Sequence, residues 1–233
     1  MFTSVQDIHF FSHHGQDFSW RGQDSAGQIC TLAGTILSEE ITRVLLKRGV
    51  EIDERRYKLA SAAERTLPYH SWMVEKGDED WPAVETDQRA IESLLCSFST
   101  SETRLRLTRP LREQEHIYGL GERTGHMDKR GQTFPLWNVD PPMNHDDQTP
   151  TMYTSIPFYL CLNSCNGQAY GVLVDHTGRV EVEAGQGESS LIQLTVEGNV
   201  LAAYFFAGPT PADVLRQYSE LTGRTPLPPR WAL

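Results

Sequence analysis

The chain has 233 residues, 39% of them hydrophobic and 22% charged, the balance of a globular protein long enough to bury a core. A net charge of −10, with no basic stripe, opposes phosphate backbones and anionic lipid, so no nucleic-acid or membrane partner is expected. No run approaches the ~18 apolar residues of a membrane span, and the first residues lack a basic-then-apolar leader, so a soluble cytoplasmic protein is expected.

Short runs rich in β-forming residues recur between turn residues at 28–37, 41–46, 94–98, 104–107, 156–162, 170–174, 180–182, 191–196 and 201–206. Their number and spacing predict an all-β sandwich. In one of them Arg104, Leu105, Arg106, Leu107 and Thr108 alternate, which places leucines on one face and cations on the other. The acidic stretch 75–89, with Trp81 before Pro82, reads as an exposed loop.

One helix is predicted near the end of the chain. Thr210 can cap it, Pro211 suits its first position, Val214, Leu215, Tyr218 and Leu221 share a face, and Gly223 ends it. That face is expected to pack on the sandwich. Residues 224–233, RTPLPPRWAL, form a stiff proline segment closing on an apolar tripeptide. We read a boundary here, with 1–223 as the sandwich domain and 224–233 as a linker.

Cys30, Cys96, Cys161 and Cys165 are too few and too dispersed for a disulfide framework and read as reduced thiols. Cys161 and Cys165 lack a second Cys/His pair, and His9, His13 and His14 lack an acidic partner at helical spacing. No metal and no cofactor is therefore expected.

Chemistry concentrates between Tyr118 and Pro142. Gly119, Gly121 and Gly125 lack dinucleotide-fingerprint spacing, so a phosphate cradle is set aside. The polar segment 123–154 shows no strand-like run of length; its aromatic and proline content predicts an ordered, functional loop. Two readings of Trp137, Asn138 and Asp140 stand. They offer what a sugar site needs, an apolar ring face and a carboxylate that accepts from hydroxyls. Equally, Trp137 can fill core while Asn138 and Asp140 organise a turn before Pro141.

The blocks YGLGERTG, PLWNVD, YTSIPFYLCL, YGVLVDH and GPTPADVLRQYSELTGRTPLPPRWAL, in that order, resemble the N-terminal domain of glycoside hydrolase family 31. The resemblance covers 118–233 closely and the first hundred residues loosely. It implies a β-sandwich similar to galactose mutarotase, followed in the family by a catalytic (β/α)8 barrel that would start just after 227–233. The family's retaining α-glycosidases use two barrel carboxylates about 5 Å apart as nucleophile and acid, so no catalytic residue is assigned here.

The resemblance implies a loop reaching over the barrel mouth, whose substrate-contacting aspartate corresponds to Asp140. Arg123, Trp137 and Asn138 match its surroundings, with Arg123 either positioning the loop or serving as a structural ion-pair partner. Where some members carry a hydroxyl-bearing contact two places after the aspartate, this chain has Pro142. The GERTGHMDKRG form looks more like the α-glucosidases than the α-xylosidases, so an α-glucoside or oligosaccharide substrate is expected. With the barrel absent, its docking surface would be exposed and self-association is expected.

Two alternatives remain. A stand-alone carbohydrate-binding module would use Trp137 as an aromatic platform, and the terminal Trp231 counts against it. A mutarotase needs a histidine base with a carboxylate partner, and the sequence pairs none of the eight histidines with one.

Overall fold

The computed structural model describes residues 3–4, 6–14, 17–23, 29–38, 41–48, 97–141, 145–147, 149, 151–224 and 226–232. The stretch 75–89, Cys96 and Pro142 lie outside them, and of the strands before residue 40 only the backbone is described.

Fourteen strands occur among the described residues: β1 (Thr3–Ser4), β2 (Gln6–His14), β3 (Asp17–Gln23), β4 (Ile29–Ser38), β5 (Ile41–Arg48), β6 (Ser97–Thr100), β7 (Arg104–Pro110), β8 (Glu115–Gly121), β9 (Gln132–Leu136), β10 (Ser155–Asn163), β11 (Ala169–Asp175), β12 (Val180–Ala184), β13 (Leu191–Glu197) and β14 (Val200–Phe206). They form two sheets with antiparallel pairing, one ordered β1-β6-β7-β13-β12-β9 and the other β2-β3-β4-β5-β14-β11-β10-β8. This is the expected all-β sandwich, with the single expected helix, α1 (Pro211–Thr222), against the larger sheet.

Alternation decides which side chains fill the space between the sheets. In β7 Leu105 and Leu107 point in while Arg104, Arg106 and Thr108 point out, and in β12 Val180, Val182 and Ala184 point in while Glu181 and Glu183 do not. Buried from Leu201 onward, β14 serves both sides. Leu201, Ala203 and Phe205 join the main core, whereas Tyr204 and Phe206 join a second cluster under α1. A strand covered on both faces carries a continuous apolar run, as Leu201–Phe206 does.

The helix begins as the sequence predicts. Thr210 Oγ1 accepts from the Asp213 N–H at 3.2 Å while the Asp213 carboxylate accepts from the Thr210 N–H, a complete capping box with Pro211 in the first turn. The packing face differs from expectation. Val214 and Gln217 are buried, Tyr218 and Leu221 are partly buried, and Leu215 is 52% exposed. The buried Gln217 is satisfied at both ends of its amide, donating to the Gly208 carbonyl at 2.8 Å and accepting from the Gly208 N–H at 3.2 Å. Gly171 in β11 permits the close approach, because a Cβ there would lie 2.6 Å from Val214 Cγ1.

Strands β1, β2, β3, β8 and β9 have no counterpart among the expected runs. For β9, which lies inside the segment 123–154 read as strandless, and for β8, the reason is local. Pro135 and the pair Gly119 and Gly121 weaken a strand signal, and both strands sit at sheet edges, where such residues are tolerated. Cys161 is a free thiol buried in the core, and burial pushes it up to about 12; Cys165 is free and exposed in the β10–β11 turn. No helix among the described residues is long and apolar enough to cross a membrane.

Candidate functional site

The site grows from the end of β8. Gly119 and Gly121 both have positive φ, and Cβ atoms there would lie 2.7 Å from the Phe158 carbonyl oxygen and 2.5 Å from that of Thr154. Close approach to β10, not phosphate binding, is what these glycines provide. Between them Leu120 is fully buried at φ 71, an unusual conformation for a side-chain-bearing residue, held by core packing. The β8–β10 register shifts between Ser155 and Tyr159, so regular pairing is interrupted near the start of β10, where Ser155 pairs with Gly121.

That loop, 122–131, is tied down by a lysine the sequence reading did not single out. Lys129 is only 5% exposed and donates from Nζ to the carbonyls of Thr124, at 3.3 Å, and His126, at 2.5 Å. Burial, followed by the Arg123 charge, holds its pKa below the usual lysine value. Beside it, Asp128 satisfies the open edge of β8, accepting from the Ile117 and Arg130 N–H groups at 3.1 Å each.

The other Asp128 oxygen lies 2.7 Å from His116 Nδ1. The sequence reading that no histidine pairs with a carboxylate is thereby corrected. The partners are twelve residues apart and meet only because the loop folds back along β8. This pair closes a strand edge; the described lining of the cleft formed by Trp137 does not include it.

Arg123 and Asn138 are joined through Ser155. Arg123 donates from Nη2 to Ser155 Oγ at 2.8 Å and from Nη1 to the Glu122 carbonyl at 2.8 Å. Of the two roles left open for Arg123, positioning fits: both hydrogen bonds go to uncharged oxygens, although the Glu122 charge is near and opposes the effect of burial, which lowers its pKa. The Ser155 N–H in turn donates to Asn138 Oδ1 at 2.7 Å. A further rung joins the Val139 N–H to the Met152 carbonyl at 3.1 Å, so residues 137–141 run alongside 152–155.

Trp137 does not fill core. It is 47% exposed, with the Arg179 guanidinium 6.0 Å from its ring centroid. Asp140 is exposed and faces Tyr153. Partial desolvation, then the charge and hydrogen bond of Asp140, push the Tyr153 phenol above its usual value, and His145 meets the Tyr153 ring edge-on at 5.7 Å. The loop therefore presents an indole and a carboxylate outward on a hydrogen-bonded frame.

A cleft of about 290 Å³ opens beside Trp137, walled by Asn138, Ser155, Pro157 and the β11–β12 turn with His176, Thr177 and Gly178. Lys129, Tyr153, Ser155 and His176 were missed as site residues. Tyr153, Ser155 and His176 lie inside the blocks YTSIPFYLCL and YGVLVDH that carried the resemblance, so position within those blocks was the available signal.

The two-sheet antiparallel sandwich fits a galactose mutarotase-like domain, and residues 96–183 match the glycosyl hydrolase 31 N-terminal galactose mutarotase-like domain. The chain carries the N-terminal domain of glycoside hydrolase family 31. Alpha-glucosidase 2 of Bacillus thermoamyloliquefaciens is 44% identical over 121 residues, covering 52% of this chain and 15% of that protein. Alpha-xylosidase XylQ of Lactiplantibacillus pentosus is 33% identical over 185 residues, covering 79% and 23%.

The chain thus spans less than a quarter of either relative. Among solved structures, the dextranase FjDex31A of Flavobacterium johnsoniae with isomaltotriose superposes with a TM-score of 0.65 at 17% identity, over 99% of this chain and 29% of that one, a likeness of fold.

Proposed function

We propose that this domain lends its 137–141 loop to the substrate pocket of a retaining α-glycosidase of the α-glucosidase type. Residues 1–223 serve as the sandwich and 224–233 as the connection into a catalytic (β/α)8 barrel. The observation that carries the reading is the Ser155 frame, which holds Asn138 and Arg123 while Trp137 and Asp140 face outward. Asp140 accepts from a substrate hydroxyl, Trp137 offers a ring face to sugar C–H groups, and Asn138 and Arg123 position the loop. The names of the relatives, alpha-glucosidase and alpha-xylosidase, support an α-glycoside as the substrate class.

Magnitudes separate this role from catalysis. A hydrogen bond from a charged group contributes about 1.5–3 kcal/mol, whereas glycoside hydrolysis needs its barrier lowered by more than about 8 kcal/mol. The loop tunes affinity, and the reaction requires the paired carboxylates of the barrel. The test is hydrolysis of a chromogenic α-glucoside by the 233-residue chain, alone and with the matching barrel domain, as wild type and Asp140→Ala. Activity only with the barrel, weakened about ten- to a hundredfold by Asp140→Ala, supports the reading; turnover by the chain alone, or indifference to Asp140→Ala, overturns it.

A further inference from the structure

The cleft beside Trp137 has a second wall that the loop reading does not use. His176, in the turn between β11 and β12, makes no hydrogen bond with either ring nitrogen among the described residues, and the amide nitrogen of Asn138, which lines the same cleft, is equally without an acceptor among them. The imidazole is folded over the turn, since a Cβ on Gly178 would lie 2.8 Å from His176 Nε2. The indole of Trp137 lines the same cleft. At about 290 Å³ the cleft is at the small end of ligand pockets, which run from about 300 to 1,000 Å³, and it suits one sugar ring better than an oligosaccharide.

We infer that this cleft binds a single pyranose unit, stacked on Trp137 and held at its hydroxyls by His176 and the Asn138 amide, which makes His176 a specificity-determining residue. The inference rests on the reading that the domain contacts an α-glycoside, and it adds a contact made by the β11–β12 turn. Two side chains with polar atoms that have no partner among the described residues line the same one-ring space as an exposed indole, the combination of polar anchors and ring face that sugars require. Burial holds the His176 pKa below the usual histidine value, so at neutral pH the ring offers one donor and one acceptor, matching a hydroxyl.

The test is a titration of the 233-residue chain with methyl α-glucopyranoside, following the NMR signals of the Trp137 indole and the His176 ring. The open-chain polyol mannitol serves as control. Both signals should shift together and saturate with the glucoside and not with mannitol. His176→Ala should weaken binding about three- to tenfold, the loss of one neutral hydrogen bond. Gly178→Ala, which displaces the imidazole without removing it, should weaken binding to a similar extent.

A saturable shift at Trp137 with His176 silent and His176→Ala unchanged overturns the inference, as does an equal response to mannitol or no saturable shift at all. None of these outcomes touches the loop reading, which stands or falls on Asp140→Ala in the barrel-complemented assay.

Discussion

Ser155 Oγ accepts from Arg123 Nη2 at 2.8 Å across 32 residues of sequence, and this bond locks the chain leaving β8 to the start of β10. Arg123 Nε is buried with no other partner, so the guanidinium depends on few acceptors. Ser155→Ala removes one and leaves a partly desolvated charge, at a cost of about 1–3 kcal/mol. The Asn138 bond uses the Ser155 backbone and survives. The expected result in urea denaturation is a lower midpoint for Ser155→Ala and a smaller loss for Ser155→Thr, which keeps the hydroxyl.

Lys129→Met keeps an unbranched apolar side chain but withdraws the ammonium from the Thr124 and His126 carbonyls and from the Phe134 ring, whose centroid lies 5.7 Å from Nζ. Each carbonyl then needs water inside a compact loop, and a loss of about 1–3 kcal/mol is expected. Amide exchange should accelerate across 122–131 and stay slow in β12 and β13. Uniform acceleration would show that Lys129 supports the whole sandwich rather than this loop.

Gly121→Ala places a methyl group 2.5 Å from the Thr154 carbonyl oxygen and 2.7 Å from the Ile156 nitrogen, at a φ of +81. Both obstacles are backbone, so β8 and β10 must part. The cost is about 1–3 kcal/mol from conformation alone, with steric displacement added. Circular dichroism melts should show a clear drop, whereas Gly198→Ala, with open space around it, shows only the conformational part.

Acid should act through Asp128. Burial works to raise its pKa, but His116 and the N–H groups of Arg130 and Ile117 outweigh it and hold the carboxyl below its usual range. A depressed carboxylate adds stability that is present above its unfolded pKa of about 4 and is lost as pH falls through the lower folded value. Urea midpoints should therefore fall below about pH 4, and Asp128→Asn should lower the midpoint at pH 7 while flattening that acid limb. An unchanged acid limb in Asp128→Asn would place the titration elsewhere.

Local pattern made much of the sandwich legible. Alternation in Arg104–Pro110 and the apolar runs of β10, β11, β13 and β14 report burial directly, because neighbouring side chains on a strand point to opposite faces. Thr210, Pro211 and Asp213 mark the start of α1 for an equally local reason, since a cap is satisfied within one turn. The side on which α1 lies was not legible to the residue. Leu215 reads as core by spacing and is exposed, because docking over Gly171 turned the helix toward Val214 and Gln217.

Arg123, Trp137, Asn138 and Asp140 are singled out by the motif blocks alone. The joining of Arg123 and Asn138 through Ser155, the influence of Asp140 on Tyr153, the meeting of His116 with Asp128 and the sharing of one cleft by His176 and Trp137 depend on cross-strand register and on where a loop folds back. A one-residue shift of β10 against β8 would carry Ser155 to the other face. Composition and periodicity report what a residue prefers as its surroundings; which residue supplies those surroundings is settled when the two sheets close.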